Sequence, residues 1–115
     1  MQSSTSRSSR QLAIIILTVA TALIHLILGI GSGGTMGIAF ILNAVGYLLL
    51  LGALYWTPAM LQDQRALIRW LLLLFTAVTF ILYFVFNWPD IWGPLGLVDK
   101  AIELILIILL WMEQV

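Results

Sequence analysis

The chain has 115 residues, of which 63% are hydrophobic and 9% are charged, and its formal net charge is zero. A soluble domain has about 25% charged residues, so most of this chain's surface is expected to face lipid rather than water. The absence of cysteine excludes disulfides, iron–sulfur clusters and thiol catalysis, and no basic stripe suits a nucleic acid.

A polar start precedes the first of four apolar segments. Residues 1–10, MQSSTSRSSR, form a Ser/Arg-rich tail that we predict to be disordered when alone. Residues 11–30 begin like the apolar part of a signal peptide and contain small residues at positions 20–22. The apolar run continues to residue 30, however, so we interpret the segment as a retained first membrane span.

Three more apolar segments follow, and each is close to the roughly 20 residues that a membrane-spanning helix needs. A glycine-rich turn and two short loops with proline join the segments, so sequential helices are expected to be antiparallel neighbours. The predicted fold is all-α, an integral membrane four-helix bundle with up-down-up-down topology in which residues 11–115 form one domain. Its helices are predicted at about residues 11–30, 36–56, 66–87 and 95–112.

The positive charges predict how the bundle is oriented. Basic residues concentrate on the cytoplasmic side of a membrane, and four arginines lie at one end of the predicted helices whereas Lys100 lies at the other. Both termini are therefore expected in the cytoplasm, at a bacterial or archaeal cytoplasmic membrane. The four arginines are Arg7, Arg10, Arg65 and Arg69. The candidate interface anchors are Trp56, Trp70, Trp88, Trp92, Trp111, Arg65 and Arg69.

One polar residue in each predicted helix falls at a similar depth, and together they form a polar layer of His25, Asn43, Tyr83 and Glu103. At about 1.5 Å per residue, each lies about 7–12 Å below the outer end of its helix. An ionisable residue inside a membrane suggests a function, and His25 and Glu103 are candidates for a charge-assisted pair. The alternatives are bonds that only hold the helices together, a quinone or lipid pocket, and ion or proton conduction.

Asp99 and Lys100 open the last predicted helix, in the stretch LGLVDKAIELIL. Acidic groups in the first turns complement the helix dipole, Lys100 and Glu103 can pair across one turn, and Lys100 can also extend to the outer interface, near which Asp99 and Lys100 are expected to lie. No catalytic constellation is present, and a single histidine excludes bis-histidine haem ligation within the chain. We therefore expect no enzymatic activity, no metal and no cofactor.

Four stretches of the chain resemble a family of small four-span prokaryotic membrane proteins of unknown function. They are IHLILG (24–29), GIAFILNAVGYL (37–48), FTAVTFILYF (75–84) and DKAIELILI (99–107). The resemblance covers most of the chain after the tail. It implies the four-helix membrane fold and a family pattern that includes the polar layer around His25 and Asp99–Lys100, and it implies no activity.

The expected function is that of a non-catalytic accessory subunit in a larger membrane complex. A bacterial respiratory or photosynthetic electron-transfer complex is the leading host, because a chain with short loops and no soluble domain suits packing against larger subunits. The expected partners are membrane lipids and larger integral-membrane subunits, and not nucleic acid. Two alternatives remain open: a small protein that binds quinone or lipid in an intramembrane polar pocket, and an oligomeric small transporter or channel.

Overall fold

The computed structural model describes residues 4–113, and within that range it contains four α-helices, one short 3₁₀-helix and no strand. The helices are α1 (Ser4–Ser32), α2 (Gly34–Tyr55), α3 (Arg65–Asn87) and α4 (Pro94–Met112). The 3₁₀-helix, Ala59–Gln64, lies between α2 and α3 and was not predicted from the sequence. The all-helical architecture and the four helices are confirmed, with α2, α3 and α4 beginning and ending within two residues of their predicted bounds.

The first helix is longer than predicted. It begins at Ser4 instead of near residue 11, so residues 4–10 of the predicted tail are helical, while residues 1–3 lie outside the described residues. Two physical reasons account for the extension. Residues 4–10 contain neither proline nor glycine, and the buried side chain of Arg10 is held by Glu113 beyond the end of α4.

Glycines make the close contact between α1 and α2. Gly33 and Gly34 have φ angles of 66° and 59°, a left-handed conformation that glycine adopts without steric cost. The reversal is therefore shorter than the predicted glycine-rich turn, because α1 continues to Ser32. A Cβ atom on Gly37 would lie 2.7 Å from the carbonyl oxygen of Gly29, so these two positions allow the backbones to touch.

The main helix contacts join α1 to α2, α2 to α3, α3 to α4 and α1 to α4. The beginning of α1 lies beside the end of α4, since Arg10 bonds to Glu113. The later part of α1 lies beside the beginning of α4, where His25 faces Asp99. The bundle extends 43 Å in its longest direction, which exceeds the roughly 30 Å hydrocarbon core of a bilayer.

The interior of the bundle has an apolar half and a polar half. Toward the end that holds Arg10 and Glu113, the interior consists of fully buried aliphatic side chains that include Ile14, Leu54, Leu72, Leu106 and Leu110. Toward the other end, buried polar and charged side chains lie beside a few buried apolar ones such as Ala22 and Ala44. This polar half holds the candidate site, whose buried residues are Thr21, His25, Tyr47, Asp99, Lys100 and Glu103.

Three stretches in the described residues are long and apolar enough to cross a membrane: Ser8–Ser32, Gly34–Tyr55 and Ala59–Asn87. The chain is therefore a candidate membrane protein with a helical bundle. The fourth helix, Pro94–Met112, is also apolar but contains three charged residues, Asp99, Lys100 and Glu103. How these charges are accommodated decides whether α4 can share the environment of the other three helices.

Candidate functional site

The charged residues of α4 meet polar residues of α1 and α2 in a closed cluster, here called the buried charge cluster. It consists of Thr21, His25, Tyr47, Asp99, Lys100 and Glu103. The exposed fraction is 2% for Asp99, 5% for Lys100 and zero for Glu103. Glu103 is four residues after Asp99 and three after Lys100, so it shares a helix face with each of them, and the long side chain of Lys100 turns back to Asp99.

The two carboxylates accept hydrogen bonds from the neighbouring helices. The hydroxyl of Thr21 on α1 donates to Oδ1 of Asp99 at 2.6 Å, and the same hydroxyl lies 3.3 Å from Oε2 of Glu103. The hydroxyl of Tyr47 on α2 donates to that Oε2 atom at 2.7 Å. One oxygen of each carboxylate is thereby fixed by a hydroxyl group, which sets the direction of the other oxygen.

The ammonium group of Lys100 binds the remaining oxygens. Its Nζ atom lies 3.2 Å from Oδ2 of Asp99 and donates a hydrogen bond to Oε1 of Glu103. The same atom lies 5.0 Å from the centre of the Tyr83 ring on α3, within the range of a cation–π contact. Lys100 therefore connects both acids of α4 and faces a ring of α3.

The orientation of His25 follows from its backbone contact. Its Nδ1 atom lies 2.8 Å from the carbonyl oxygen of Thr21, and a carbonyl oxygen only accepts, so Nδ1 carries the hydrogen atom. The other ring nitrogen, Nε2, lies 3.8 Å from Oδ2 of Asp99. The imidazole ring also packs against Phe40 and Tyr47 of α2, which holds Nε2 toward the carboxylates.

The net charge of the cluster depends on which of its groups are ionised. With both acids ionised, Lys100 charged and the imidazole neutral, the cluster has a net charge of minus one. Burying an uncompensated charge costs several kcal/mol, so an additional positive charge at this place is favourable. The ring nitrogen that faces Asp99, and so lies where such a charge would be bound, is Nε2 of His25.

The structure brings together only part of the predicted polar layer. His25 and Glu103 belong to the same cluster, but Asp99 is the acid that faces Nε2 of His25. Asn43 lies apart, where its Nδ2 atom donates to Thr79 at 3.0 Å. Tyr83 donates its hydroxyl to the carbonyl oxygen of Ile91 and contacts the cluster through its ring.

Asp99 and Lys100 were expected near the outer interface, and the structure places both inside the bundle instead. Of the two alternatives for Lys100, the structure has the pair with Glu103, and the ammonium group is held by Asp99 and Glu103 instead of extending outward. The physical reason is proximity. Two carboxylates within one turn bind the ammonium group in a region of low dielectric constant, where Coulomb attraction is strong.

Sequence reasoning missed Thr21 and Tyr47, the two hydroxyl donors of the cluster. A signal for both was present in the helical spacing. Thr21 is four residues before His25 and Tyr47 is four residues after Asn43, so each lies one turn away from a predicted member on the same face.

A second set of polar contacts closes the opposite end of the bundle. Nε of Arg10 donates to Oε1 of Glu113 at 3.2 Å, and the hydroxyl of Tyr55 donates to the other carboxylate oxygen. Arg65 donates twice to the carbonyl oxygen of Leu54 near the end of α2. Arg69 donates to the carbonyl oxygen of Leu110 near the end of α4 at 2.8 Å.

Arg65 and Arg69, predicted as interface anchors, thus bind the last carbonyl groups of neighbouring helices. This contact is favourable because the final carbonyl groups of a helix have no partner within it. The predicted tryptophan anchors lie at both ends of the bundle, and four of them are at least 66% exposed. Trp70 is less exposed and stacks edge to face against Trp111.

The buried charge cluster also contains a donor set that could hold a metal ion. One ligand atom from each of His25, Asp99 and Glu103 can be chosen so that all three lie within 4.8 Å of one another. Comparisons with protein-family models, with curated proteins and with solved structures gave no match for the chain. The interpretation of the site therefore depends on its own geometry.

Proposed function

We propose that the protein is a four-span accessory subunit that packs within a larger membrane complex and performs no catalysis of its own. A single observation supports this proposal best. The charged side chains of α4 point into the bundle and are bound there by other helices, while large apolar side chains cover the outside of all four helices. The polar groups are thus used to join helices, and the outer surface suits lipid or other membrane helices.

The same observation supports α4 as the fourth membrane span. Asp99, Lys100 and Glu103 lower its average hydropathy, but they are almost completely buried by the other helices. Exposed residues on α4 include Val98, Leu104, Ile105 and Ile108, all of them apolar. We therefore propose an up-down-up-down topology, with the arginine-rich end in the cytoplasm according to the positive-inside rule.

The proposal can be tested by site-directed photo-crosslinking in native membranes. A photoreactive amino acid is introduced at Leu49 of α2, Phe86 of α3 or Ile108 of α4, each of which is exposed, and at the fully buried Leu72 as a matched control. An accessory subunit should form an adduct with the same larger membrane protein from one or two exposed positions and none from Leu72.

Purification in a mild detergent gives the second readout. The adducted protein should belong to a complex that retains the chain in a fixed ratio. An electron-transfer complex is the first host to examine, and a prokaryotic cytoplasmic membrane is the first location. Adducts with lipid alone from all three exposed positions, together with a stable isolated monomer, would refute the accessory role.

A groove between α2 and α3 favours a second candidate function, the binding of quinone or lipid. The groove has a volume of about 430 Å³ and is lined mainly by apolar side chains, with Asn43 and Thr79 as its polar members. Its dimensions fall within the range of small-molecule sites. Oδ1 of Asn43 is buried and has no hydrogen-bond partner among the described residues.

Mass spectrometry of the purified protein distinguishes this candidate from the first. A bound quinone or lipid should be retained by the wild type and lost when Val78 at the groove is replaced by tryptophan. The exposed Ile38, which is not among the groove-lining residues, provides the control position for the same replacement. Equal retention by both variants would contradict a specific site. Transport remains the third proposal, and liposome flux measurements would test it.

A further inference from the structure

The buried charge cluster holds three side chains that carry metal-ligating atoms, and the ammonium group of Lys100 binds two of them. Asp99 and Glu103 each offer a carboxylate and His25 offers a ring nitrogen, and Nε2 is the nitrogen that faces Asp99 at 3.8 Å. We propose that these three side chains form a binding site for a divalent transition-metal ion, and that the Lys100 ammonium group is a tethered cation that competes with the metal for the same place. This inference does not depend on the accessory role proposed above.

The donor set suits such an ion. One imidazole nitrogen and two carboxylate oxygens are ligands that zinc and other first-row divalent metals accept, and three protein ligands leave a position for water. Ligand atoms about 2.0–2.2 Å from a tetrahedral ion would be about 3.3–3.6 Å apart. One ligand atom from each of the three side chains lies within 4.8 Å of the others, so side-chain rotation is needed to bring them to that separation.

The surroundings of the three ligands provide independent support. Nδ1–H of His25 donates to the carbonyl oxygen of Thr21, which leaves Nε2 free to bind a cation. This backbone contact is the usual way in which a metal-binding histidine is oriented. The hydroxyls of Thr21 and Tyr47 hold one oxygen each of Asp99 and Glu103, and such outer contacts are typical of carboxylate ligands.

Electrostatics explains why Lys100 and the metal should exclude each other. A divalent ion neutralises the two carboxylates when the imidazole is neutral, whereas the ion and a buried ammonium group together would leave an excess positive charge. Burial of an uncompensated charge is costly. Lys100 is six residues from the beginning of α4, about 9 Å along the helix, and its ammonium group faces Tyr83. Its flexible side chain can therefore turn toward the outer end of the bundle.

A purely structural ion-pair cluster makes the opposite prediction about Lys100. If the ammonium group serves only to bind the two acids, its removal weakens the protein and creates no affinity for metals. If it competes with a metal, its removal increases metal affinity. The Lys100→Met variant separates the two cases, since methionine has a similar length and no charge.

The experiment is a titration of the purified, detergent-solubilised full chain with Co²⁺, followed by the visible absorption of the bound ion. Lys100→Met should bind Co²⁺ at least about tenfold more tightly than the wild type, because a buried competing cation is gone. His25→Gln in the wild-type and Lys100→Met backgrounds should abolish the absorption of bound Co²⁺. Thr21→Val should weaken binding by about 10–100-fold, as removal of outer contacts does in other metal sites.

Two controls accompany the titration. Asp63→Asn removes an exposed acid on the 3₁₀-helix and should leave Co²⁺ affinity unchanged. The second control needs only the wild type: Zn²⁺ should raise its thermal unfolding midpoint, since a ligand that binds the folded state stabilises it, whereas Mg²⁺ should not. This measurement remains decisive if Lys100→Met does not fold.

Three results would overturn the inference. The first is the absence of saturable Co²⁺ binding by the wild type together with an unchanged unfolding midpoint in Zn²⁺. The second is a folded Lys100→Met variant that binds Co²⁺ no more tightly than the wild type. The third is binding that persists unchanged in His25→Gln, which would place the ion elsewhere on the protein.

Discussion

Replacement of Glu103 by leucine should strongly destabilise the bundle. Glu103 is fully buried and binds three side chains: the ammonium group of Lys100, the hydroxyl of Tyr47 at 2.7 Å, and Thr21 at 3.3 Å. Leucine preserves most of the volume and removes every acceptor. Loss of one partner from a buried charge pair costs about 3–5 kcal/mol, and Asp99 remains near Lys100. We therefore expect Glu103→Leu to lower the free energy of unfolding by about 3–4 kcal/mol, the lower part of that range.

Glu103→Gln should cost less. Its amide oxygen can accept from Lys100 while its amide nitrogen faces the hydroxyl oxygen of Tyr47, which also accepts. The hydrogen bonds are then largely kept and the charge is lost, so a cost of about 1–3 kcal/mol is expected. The order of stability among the three proteins, wild type above Glu103→Gln above Glu103→Leu, is the specific expectation.

The free energy of unfolding can be measured by titrating the protein in mild detergent micelles with a denaturing detergent and following the helical circular dichroism. Asp63→Asn is the matched control, since it removes an exposed acid and should change stability by less than about 0.5 kcal/mol. A Glu103→Leu variant as stable as the control would refute the reasoning, because the contacts of Glu103 would then contribute nothing net to folding.

Two further predictions concern the contacts between helices. Gly37→Val should destabilise the protein by about 1–3 kcal/mol, because a Cβ atom there would lie 2.7 Å from the carbonyl oxygen of Gly29. Gly52→Ala, with no atom within 4 Å of the added carbon, should be neutral or slightly stabilising, and equal losses in both would contradict the assignment. Tyr47→Phe should cost about 1.5–3 kcal/mol, the range for a hydrogen bond to a charged group, and this cost should disappear in the Glu103→Leu background.

The helices were largely predictable because their causes are local. Each apolar segment is long enough for a membrane helix, and Pro58, Pro94 and the glycines near position 33 interrupt the apolar pattern close to the observed boundaries. The beginning of α1 was not predictable in the same way. Its polar first residues are held in part through Arg10, whose partner Glu113 is 103 residues away in sequence.

The membership of the candidate site was only half predictable. Helical spacing identified the inward faces that carry His25 and Glu103, since small and polar residues recur there. It could not say which residues of facing helices lie at the same level. A shift of α2 by one turn along its axis would put Asn43 at the level that Tyr47 occupies. In the structure Tyr47 bonds to Glu103, and Asn43 lies beside Thr79.

The sequence by itself determined the class of protein and the position of its charges along the chain. An apolar content of 63% and three stretches long and apolar enough to cross a membrane favour helices in a lipid-like environment. Only the tertiary structure decided where the charges of α4 point. Asp99, Lys100 and Glu103 could have faced the outer interface, but three neighbouring helices supply two hydroxyl donors, one imidazole and one aromatic ring. Burial of charge is tolerated where such partners converge, and that convergence is a property of the packed bundle.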